Sequence, residues 1–434
     1  MPAADAPPTT LTPYLTQAHH HLWSLAEEFT ARHVTPRVAR MEAAPHRAER
    51  TLPRLMAKRG WFGVTLPTEY GGLAAGHVAR TVLIHRLSLA SAAAGTILQA
   101  HLIPAGALLH WGTTEQKTRW LRQVAEGVVL MTIAVTEPEA GGHIGGIETT
   151  AEPADGGWRI TGEKAHIGNS HLAHLHVVVA RTAPPHTRTP ASQALTAFLV
   201  EADRKGVTTS PPRTRLGLHG FTAGPPRARL GLHGFTAGRL RLDRVHIPAA
   251  NILGTIGEGM DVAQSSSILY GRPNLTAVSL GLHEALVSRT TAWLANRPRY
   301  GAHLADLPVV RDRLGTMQAR LQHARVLTYH AVHLLDRGLP CDSDLIAAKH
   351  TSHQLAADTA RDAMELHGAH ALDTHHDLPR LWRDIQHTYA PAGTGEVQRI
   401  HLAKTALNTG TVPWSARLAQ TLARTRPSPG PAPA

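Results

Sequence analysis

One long amphipathic run constrains the fold of this 434-residue chain more than any other feature. Between Leu307 and Leu334, apolar residues recur every three or four positions, at Val310, Leu314, Met317, Leu321, Ala324, Leu327 and Ala331. This period predicts a single helix of roughly eight turns with one apolar face. Such a helix needs partners to cover that face, and the helical runs over 260–296, 343–367 and 397–407 supply them. Residues 249–415 are therefore predicted to form a C-terminal helical bundle.

The residues before this bundle divide into a helical part and a strand-rich part. Over 11–130, the runs 15–32 and 78–109 have helical composition, with prolines between them. Over 131–248, short runs rich in β-branched residues are separated by Gly, Pro and Asp, at 131–135, 157–162, 175–181, 197–201 and 240–247. We therefore predict a small β domain between two helical ones, and a tail over 416–434 that is disordered at its end.

The span 87–114 contains no Asp, Glu, Lys or Arg and is long enough to cross a bilayer. It carries Gln99, His101 and Pro104 among many alanines, so it is less hydrophobic than a typical membrane helix. We expect two buried helices that are broken near Ile103 and Pro104, and no membrane segment.

Charge and cysteine content exclude several classes of protein. The chain has 44 Lys and Arg against 32 Asp and Glu, a net charge of +12, but the basic residues are scattered and aromatic residues make up only 4%. Nucleic-acid binding is therefore not expected. The single cysteine, Cys341, forms neither an internal disulfide nor a thiolate cage for zinc. Because the first ten residues lack a secretory pattern, we expect a cytoplasmic protein. The histidine clusters at 19–21 and 375–376 match no metal-ligand spacing, so no metal site is expected.

An internal duplication lies in the β-rich part. Residues 211–224 and 225–238 are identical except that Thr214 corresponds to Ala228. A lone pair of 14-residue copies is too short and too few for a solenoid, so it is interpreted as an insertion in a surface loop. Only one copy can occupy a strand position, and we expect the other to be displaced.

Several linked segments point to a function. The chain has no P-loop, no GxSxG, no HExxH and no GxGxxG between a strand and a helix, so nicotinamide binding is not expected. It does contain AVTEPEAGG at 134–142, ITGEK at 160–164, LRLDRVHIPAANILG at 240–254, RPRYG at 297–301, LWRD at 381–384 and GTGEVQR at 393–399. In this order the segments resemble the acyl-CoA dehydrogenase family, over about residues 15–407.

The resemblance implies a fold of mixed α and β class: an N-terminal helical domain, a middle β-barrel-like domain and a C-terminal four-helix bundle. It also implies FAD between the β domain and the bundle, next to an acyl thioester of CoA or an acyl-carrier protein. The positions implied to bind the cofactor are Ile133, Val135, Thr136, His166, Ile167, Gly168, Arg297, Gly368, Thr394 and Glu396. Those implied to bind substrate are Gly142, Arg272 and Gly393. Arg297 would serve the FAD of a neighbouring subunit, so a homodimer or homotetramer is expected.

The chain departs from the family where the chemistry takes place. The family's catalytic glutamate corresponds to Ala392, and the alternative base position before an arginine corresponds to Gly271. Neither residue accepts a proton, so Tyr270 and His370 are hypothetical substitutes. The family's Trp-Ile-Thr beside the flavin corresponds to residues 166–168, His-Ile-Gly, which removes an aromatic wall and a hydroxyl.

Three functions remain open at this point. The first is an FAD-dependent oxidoreductase that performs α,β-dehydrogenation of an acyl thioester with an atypical or impaired base. Its electrons would pass to an acceptor such as an electron-transfer flavoprotein or oxygen. The second is a flavin-dependent monooxygenase on the same scaffold, which needs no base for the α-proton. The third is a catalytically inactive binding protein, because both base positions are empty.

Overall fold

The computed structural model describes residues 6–45, 47–183, 189–210 and 230–417. The N-terminal part is helical, with α1 Gln17–Phe29, α2 Val38–Ala43, α3 Thr51–Lys58, α4 Gly76–Ala90, α5 Ala92–Trp111 and α6 Thr114–Ala125. Side-chain caps set three of these starts, since Thr16 accepts from the backbone N–H of His19, Ser91 from that of Ala94 and Thr113 from that of Gln116.

The middle part is an eight-stranded sheet that includes the five runs predicted as strands. Its strands are β1 Met131–Ala134, β2 Thr150–Ala154, β3 Gly157–Gly168, β4 Leu175–Arg181, β5 Leu195–Glu201, β6 Val207–Ser210, β7 Ala237–Pro248 and β8 Ile252–Leu253. Their spatial order is β6-β7-β3-β2-β4-β5-β8, and β1 lies parallel to β4. Sequence reasoning missed β2, β6 and β8 because they are short and β2 contains a proline.

The C-terminal part contains α7 Gly259–Ser266, α8 Arg272–Asn296, α9 Pro308–Asp336, α10 Asp342–His367, α11 Asp377–Ile385 and α12 Gly395–Ala406. A hairpin of β9 Pro298–Arg299 and β10 Ala302–His303 joins α8 to α9, and a turn of π-helix over Ser267–Gly271 joins α7 to α8. Helix α9 confirms the predicted long helix: Val310, Met317, Leu321 and Ala324 are buried on one face.

The two helical parts share one hydrophobic core. Buried residues of α4 and α5, such as Val82 and Leu98, belong to the same cluster as Leu282 of α8 and Tyr329 of α9. The expected break near Ile103 and Pro104 is wrong, because α5 runs through both residues.

The chain breaks instead at Ser91, which caps α5 by accepting from the backbone N–H of Ala94. Helix α5 is long and apolar enough to cross a membrane, but 94% of its most apolar window is buried inside the protein. Its apolar surface is therefore covered by the protein's own core.

The second copy of the duplication contributes to the fold from residue 230 onward. Leu232 and Phe235 are buried, and the N–H of Leu232 donates to Oδ1 of Asp384 at 2.6 Å. The N–H of Glu49 donates to the carbonyl of Gly234 at 2.8 Å. The first copy, and the tail from residue 418, lie outside the described residues.

Candidate active site

Strands β1 and β3 bring the predicted flavin-contacting residues together. The N–H of Ala165 donates to the carbonyl of Thr136 at 2.8 Å, so the segment after β1 lies against the end of β3. Among the described strands, β1 pairs only with β4, so no described strand covers its other edge. Ile133, Val135 and Thr136 are half-buried along this edge. A strand edge of this kind fits a planar ring with polar atoms on its rim.

A buried ion pair fixes the segment after β1. Nζ of Lys164 donates to Oε1 of Glu137 at 2.7 Å and to the carbonyl of Val135 at 3.0 Å. Glu137 also accepts from the backbone N–H groups of Glu148 and Thr149, at 2.7 and 3.0 Å. Although burial opposes the charge, these hydrogen bonds and Lys164 hold the pKa of Glu137 below its usual value.

The end of β3 is irregular where the predicted flavin wall lies. The pairing with β7 shifts between Lys164 and Ile167, and His166 has a left-handed φ of 58°. A Cβ at Gly168 would lie 2.8 Å from Cζ of Phe235. The phenyl ring of Phe235 therefore fills the space that a side chain at residue 168 would occupy.

The two possible base positions face each other. A Cβ at Gly271 would lie 3.1 Å from the Cβ of Ala392, although the two residues belong to distant parts of the chain. A longer acidic side chain at either position would enter the same space. The π-helical turn that ends at Gly271 is an irregularity often found at functional sites.

The loop that carries Ala392 is held from beneath. Nζ of Lys349 donates to the carbonyls of Tyr389 and Gly393, and Nε2 of Gln398 donates to those of Ala392 and Gly393 at 3.0 and 2.9 Å. Among the described residues, the N–H of Ala392 has no acceptor. Ala392 has a left-handed φ of 56°, so the loop keeps an unfavourable backbone conformation with an amide donor available.

Arg272 follows Gly271 and is 3% exposed. Its Nε and Nη1 atoms have no hydrogen-bond partner among the described residues. Burial lowers the pKa of Arg272 to about 10, against the field of Asp342. Burial and repulsion from Arg272 lower the pKa of Lys349 to about 7. The site is therefore bordered by two buried basic groups.

Tyr270 lies next to the base position in sequence, but its side chain is packed between α4 and α5. Its hydroxyl is 3.3 Å from Nε2 of His110, and its ring covers Gly106, where a Cβ would lie 2.3 Å from Cζ. The Arg80 guanidinium lies 4.7 Å from the ring centroid. Burial raises the pKa of Tyr270, so the phenolate needed for a base is disfavoured.

His370 does not lie near Ala392. Nη2 of Arg297 is 3.0 Å from Nε2 of His370, and both groups contact Trp293 near the end of α8. The 25 residues of α8 span roughly 37 Å and separate this group from Gly271. The structure therefore contradicts His370 as the substitute base within one chain.

The remaining predicted residues divide between these two places. Gly368 has a left-handed φ of 58° and begins the turn that carries His370, beside Arg297. Thr394 and Glu396 lie at the start of α12, and Glu396 is exposed and paired with Arg399 at 3.0 Å. Gly142 approaches α12, since a Cβ there would lie 3.2 Å from Cγ2 of Val397. Gly142 therefore lies against α12, and Gly393 lies beside Ala392 in the loop before that helix.

Comparison with known proteins agrees with this architecture. The acyl-CoA dehydrogenase N-terminal, middle and C-terminal domain profiles match residues 16–128, 132–229 and 257–407. An acyl-CoA dehydrogenase of Bacillus subtilis is 30% identical over 392 residues, which cover 90% of this chain and 98% of that protein. The chain belongs to the acyl-CoA dehydrogenase family.

Other members of the acyl-CoA dehydrogenase family match over similar lengths. A 3-(aryl)acrylate reductase of Clostridium sporogenes is 26% identical over 395 residues, covering 91% of this chain and all (100%) of that protein. The structure of butyryl-CoA dehydrogenase from Megasphaera elsdenii superposes with a TM-score of 0.83 at 25% identity, covering 91% and 99% of the two chains. The predicted family and fold class are confirmed, and the family consists of FAD-dependent oxidoreductases.

Sequence reasoning missed Lys349, Gln398 and Phe235 as parts of the site. Lys349 carries no local signal, because it is one lysine in a long helical run. Phe235 lies within the duplication, whose two copies cannot be distinguished by sequence. Gln398 was part of the quoted 393–399 segment, but its hydrogen bonds to the loop depend on the fold.

Proposed function

We propose that this chain is an FAD-dependent oxidoreductase that acts on an acyl thioester by α,β-dehydrogenation with an atypical or impaired base: the α-proton passes to water, because neither family base position carries a carboxylate. The observation that carries the proposal is the Ala392 amide. The carbonyls around it are held by Lys349 and Gln398, while its N–H has no acceptor among the described residues. A fixed amide of this kind can donate to a thioester carbonyl and stabilise negative charge on its oxygen.

The edge of β1 that no described strand covers supports FAD binding by this chain. Ile133, Val135 and Thr136 would hold the rim of the isoalloxazine ring, and His166 and Ile167 would lie beside it. When bound, FAD accepts the hydride from the β-carbon of the substrate. Arg297, beside Gly368, would bind the FAD pyrophosphate of a second copy, so the proposal includes a homo-oligomer. The electron acceptor would be an electron-transfer flavoprotein or oxygen.

The absorption spectrum of the purified protein tests this proposal. After incubation with FAD and desalting, we expect a retained flavin spectrum near 450 nm that shifts when butyryl-CoA is added under anaerobic conditions. A protein that stays colourless, or a flavin spectrum that no acyl-CoA changes, would contradict the proposal. Tyr270→Phe tests the remaining substitute base, and we expect it to leave flavin reduction unchanged because the phenol is packed away from Ala392.

A second candidate is favoured by the absence of an acid at Gly271 and Ala392. A flavin-dependent monooxygenase does not need to remove an α-proton, so the loss of both bases would not impair it. Oxygen consumption that depends on NADPH or a flavin reductase and on an amine or carbon substrate would favour this candidate. Flavin reduction by an acyl-CoA in the absence of oxygen would favour the first.

A further inference from the structure

A buried guanidinium with unsatisfied donors lies beside the two base positions. Arg272 is 3% exposed, and two of its nitrogen atoms have no acceptor among the described residues. Buried guanidinium groups are normally hydrogen-bonded, because an unpaired buried charge is costly. The unsatisfied Arg272 donors next to Gly271 are therefore able to bind a negatively charged hydrogen-bond acceptor.

A second cation lies beneath the opposing loop. Lys349 is also 3% exposed, and its Nζ contacts only neutral partners in the loop, the carbonyls of Tyr389 and Gly393. These two carbonyls flank Ala392 in sequence. Arg272 directly follows Gly271, which lies against Ala392, and Lys349 holds the loop of Ala392, so the two basic groups border the same part of the protein.

The acidic group whose charge acts on Arg272 forms no hydrogen bond or ion pair with it among the described residues. Asp342, whose charge acts on Arg272, accepts from the N–H groups of Trp414 and Ser415 at 2.7 and 2.9 Å. His401 also faces Arg272, and burial lowers the pKa of its imidazole. No described carboxylate forms an ion pair with Arg272 or Lys349.

We propose that Arg272 and Lys349 bind a carboxylate that arrives with the ligand, in the space bordered by Gly271 and Ala392. This inference rests on the proposed function for the acyl thioester. Two sources supply the same chemistry: a carboxylate on the α-carbon of the acyl group, or a small free carboxylate beside an uncharged acyl group. Arginine binds either one through paired charge-assisted hydrogen bonds.

Saturation-transfer NMR of the acetate methyl protons tests the free carboxylate. At fixed ionic strength, we expect acetate to bind both apo and FAD-loaded protein, and Arg272→Met to weaken binding by about tenfold. Ala392→Glu places a carboxylate in the site and should abolish acetate binding, whereas Ala392→Gln should retain it. If Arg272→Met does not fold, the comparison of Ala392→Glu with Ala392→Gln still tests the proposal. If chloride displaces acetate equally well, the site holds an adventitious ion only and the proposal is overturned.

Calorimetric titration with ethylmalonyl-CoA and butyryl-CoA tests the carboxylate carried by the substrate, because only the first has an α-carboxylate. We expect ethylmalonyl-CoA to bind about tenfold more tightly to wild type and to lose this advantage in Ala392→Glu but not in Ala392→Gln. Equal affinities together with acetate binding would identify the free carboxylate as the occupant. Equal affinities without acetate binding would overturn the proposal. Acetate binding without binding of either thioester would refute the proposed function and leave the anion site standing.

Discussion

Ala392→Glu should restore a general base to the site. The Cβ of Ala392 already faces Gly271, where a Cβ would lie 3.1 Å away, so the longer side chain enters the space that family bases share. Glu tolerates the φ of 56° as Ala does, because both have a Cβ. Arg272 and Lys349 offset the desolvation of the new carboxylate.

The expected gain follows from the usual contribution of a positioned base. General base catalysis contributes about 10²–10⁴-fold, which corresponds to about 3–5 kcal/mol of activation free energy. Arg272 and Lys349 favour the charged carboxylate and so lower its pKa and its basicity, which places the expected gain near the lower end, about 10²-fold.

Anaerobic stopped-flow reduction of the flavin by butyryl-CoA measures this gain. Ala392→Gln is the matched control, because it has the same size and carries no base. Both variants should retain FAD, as judged by the absorption spectrum after desalting. If flavin-loaded Ala392→Glu binds butyryl-CoA but is reduced no faster than Ala392→Gln, the reasoning about the shared base position is refuted.

Three further predictions concern the framework of the site. Glu137→Gln should lower the free energy of unfolding by about 3–5 kcal/mol, because it leaves Lys164 buried without its charge partner at 2.7 Å. Urea denaturation measures the loss, and adding Lys164→Met should recover part of it; full stability in the single variant would contradict this view. Gly168→Thr should cost about 1–3 kcal/mol, since its Cβ meets the ring of Phe235 at 2.8 Å. Adding Phe235→Ser to Gly168→Thr should relieve that cost. If the shifts in urea midpoint of the two single variants simply add in the double variant, the contact between the two positions is excluded. Burial raises the pKa of Asp384 from 3.8 to about 6, so the folded state binds this proton more tightly. The contribution of this protonation to the free energy of unfolding is complete below pH 3.8 and is lost as the pH rises through about 6. Asp384→Asn should flatten the pH dependence of unfolding over this range, and an unchanged slope would show that another group titrates.

Local pattern was sufficient for the elements that bury one face. The three- and four-residue period between Leu307 and Leu334 predicted α9 because a helix must place its apolar residues on one side. The β-branched runs predicted β1, β4 and β5, which are buried along almost their whole length. The order of the quoted segments identified the family, and residue identity alone shows that positions 271 and 392 carry no acid.

Local pattern was insufficient where packing overrides propensity. Pro104 predicted a break, but α5 continues through it because its neighbours bury the helix on all sides. The break falls at Ser91, where a side-chain cap is available. Propensity is a weak guide at such places, since tertiary contacts are worth more than the preference of one residue.

The tertiary structure alone decided which residues meet. Gly271 and Ala392 lie against each other, and Lys349 lies beneath the loop that carries Ala392. His370 lies at the far end of α8. These relations join residues that are distant in sequence, and periodicity reports only which side of an element is buried. Sequence by itself determined the family, most of the elements and the missing acid; only the packing of the helices decided that two buried basic groups border the place where that acid is missing.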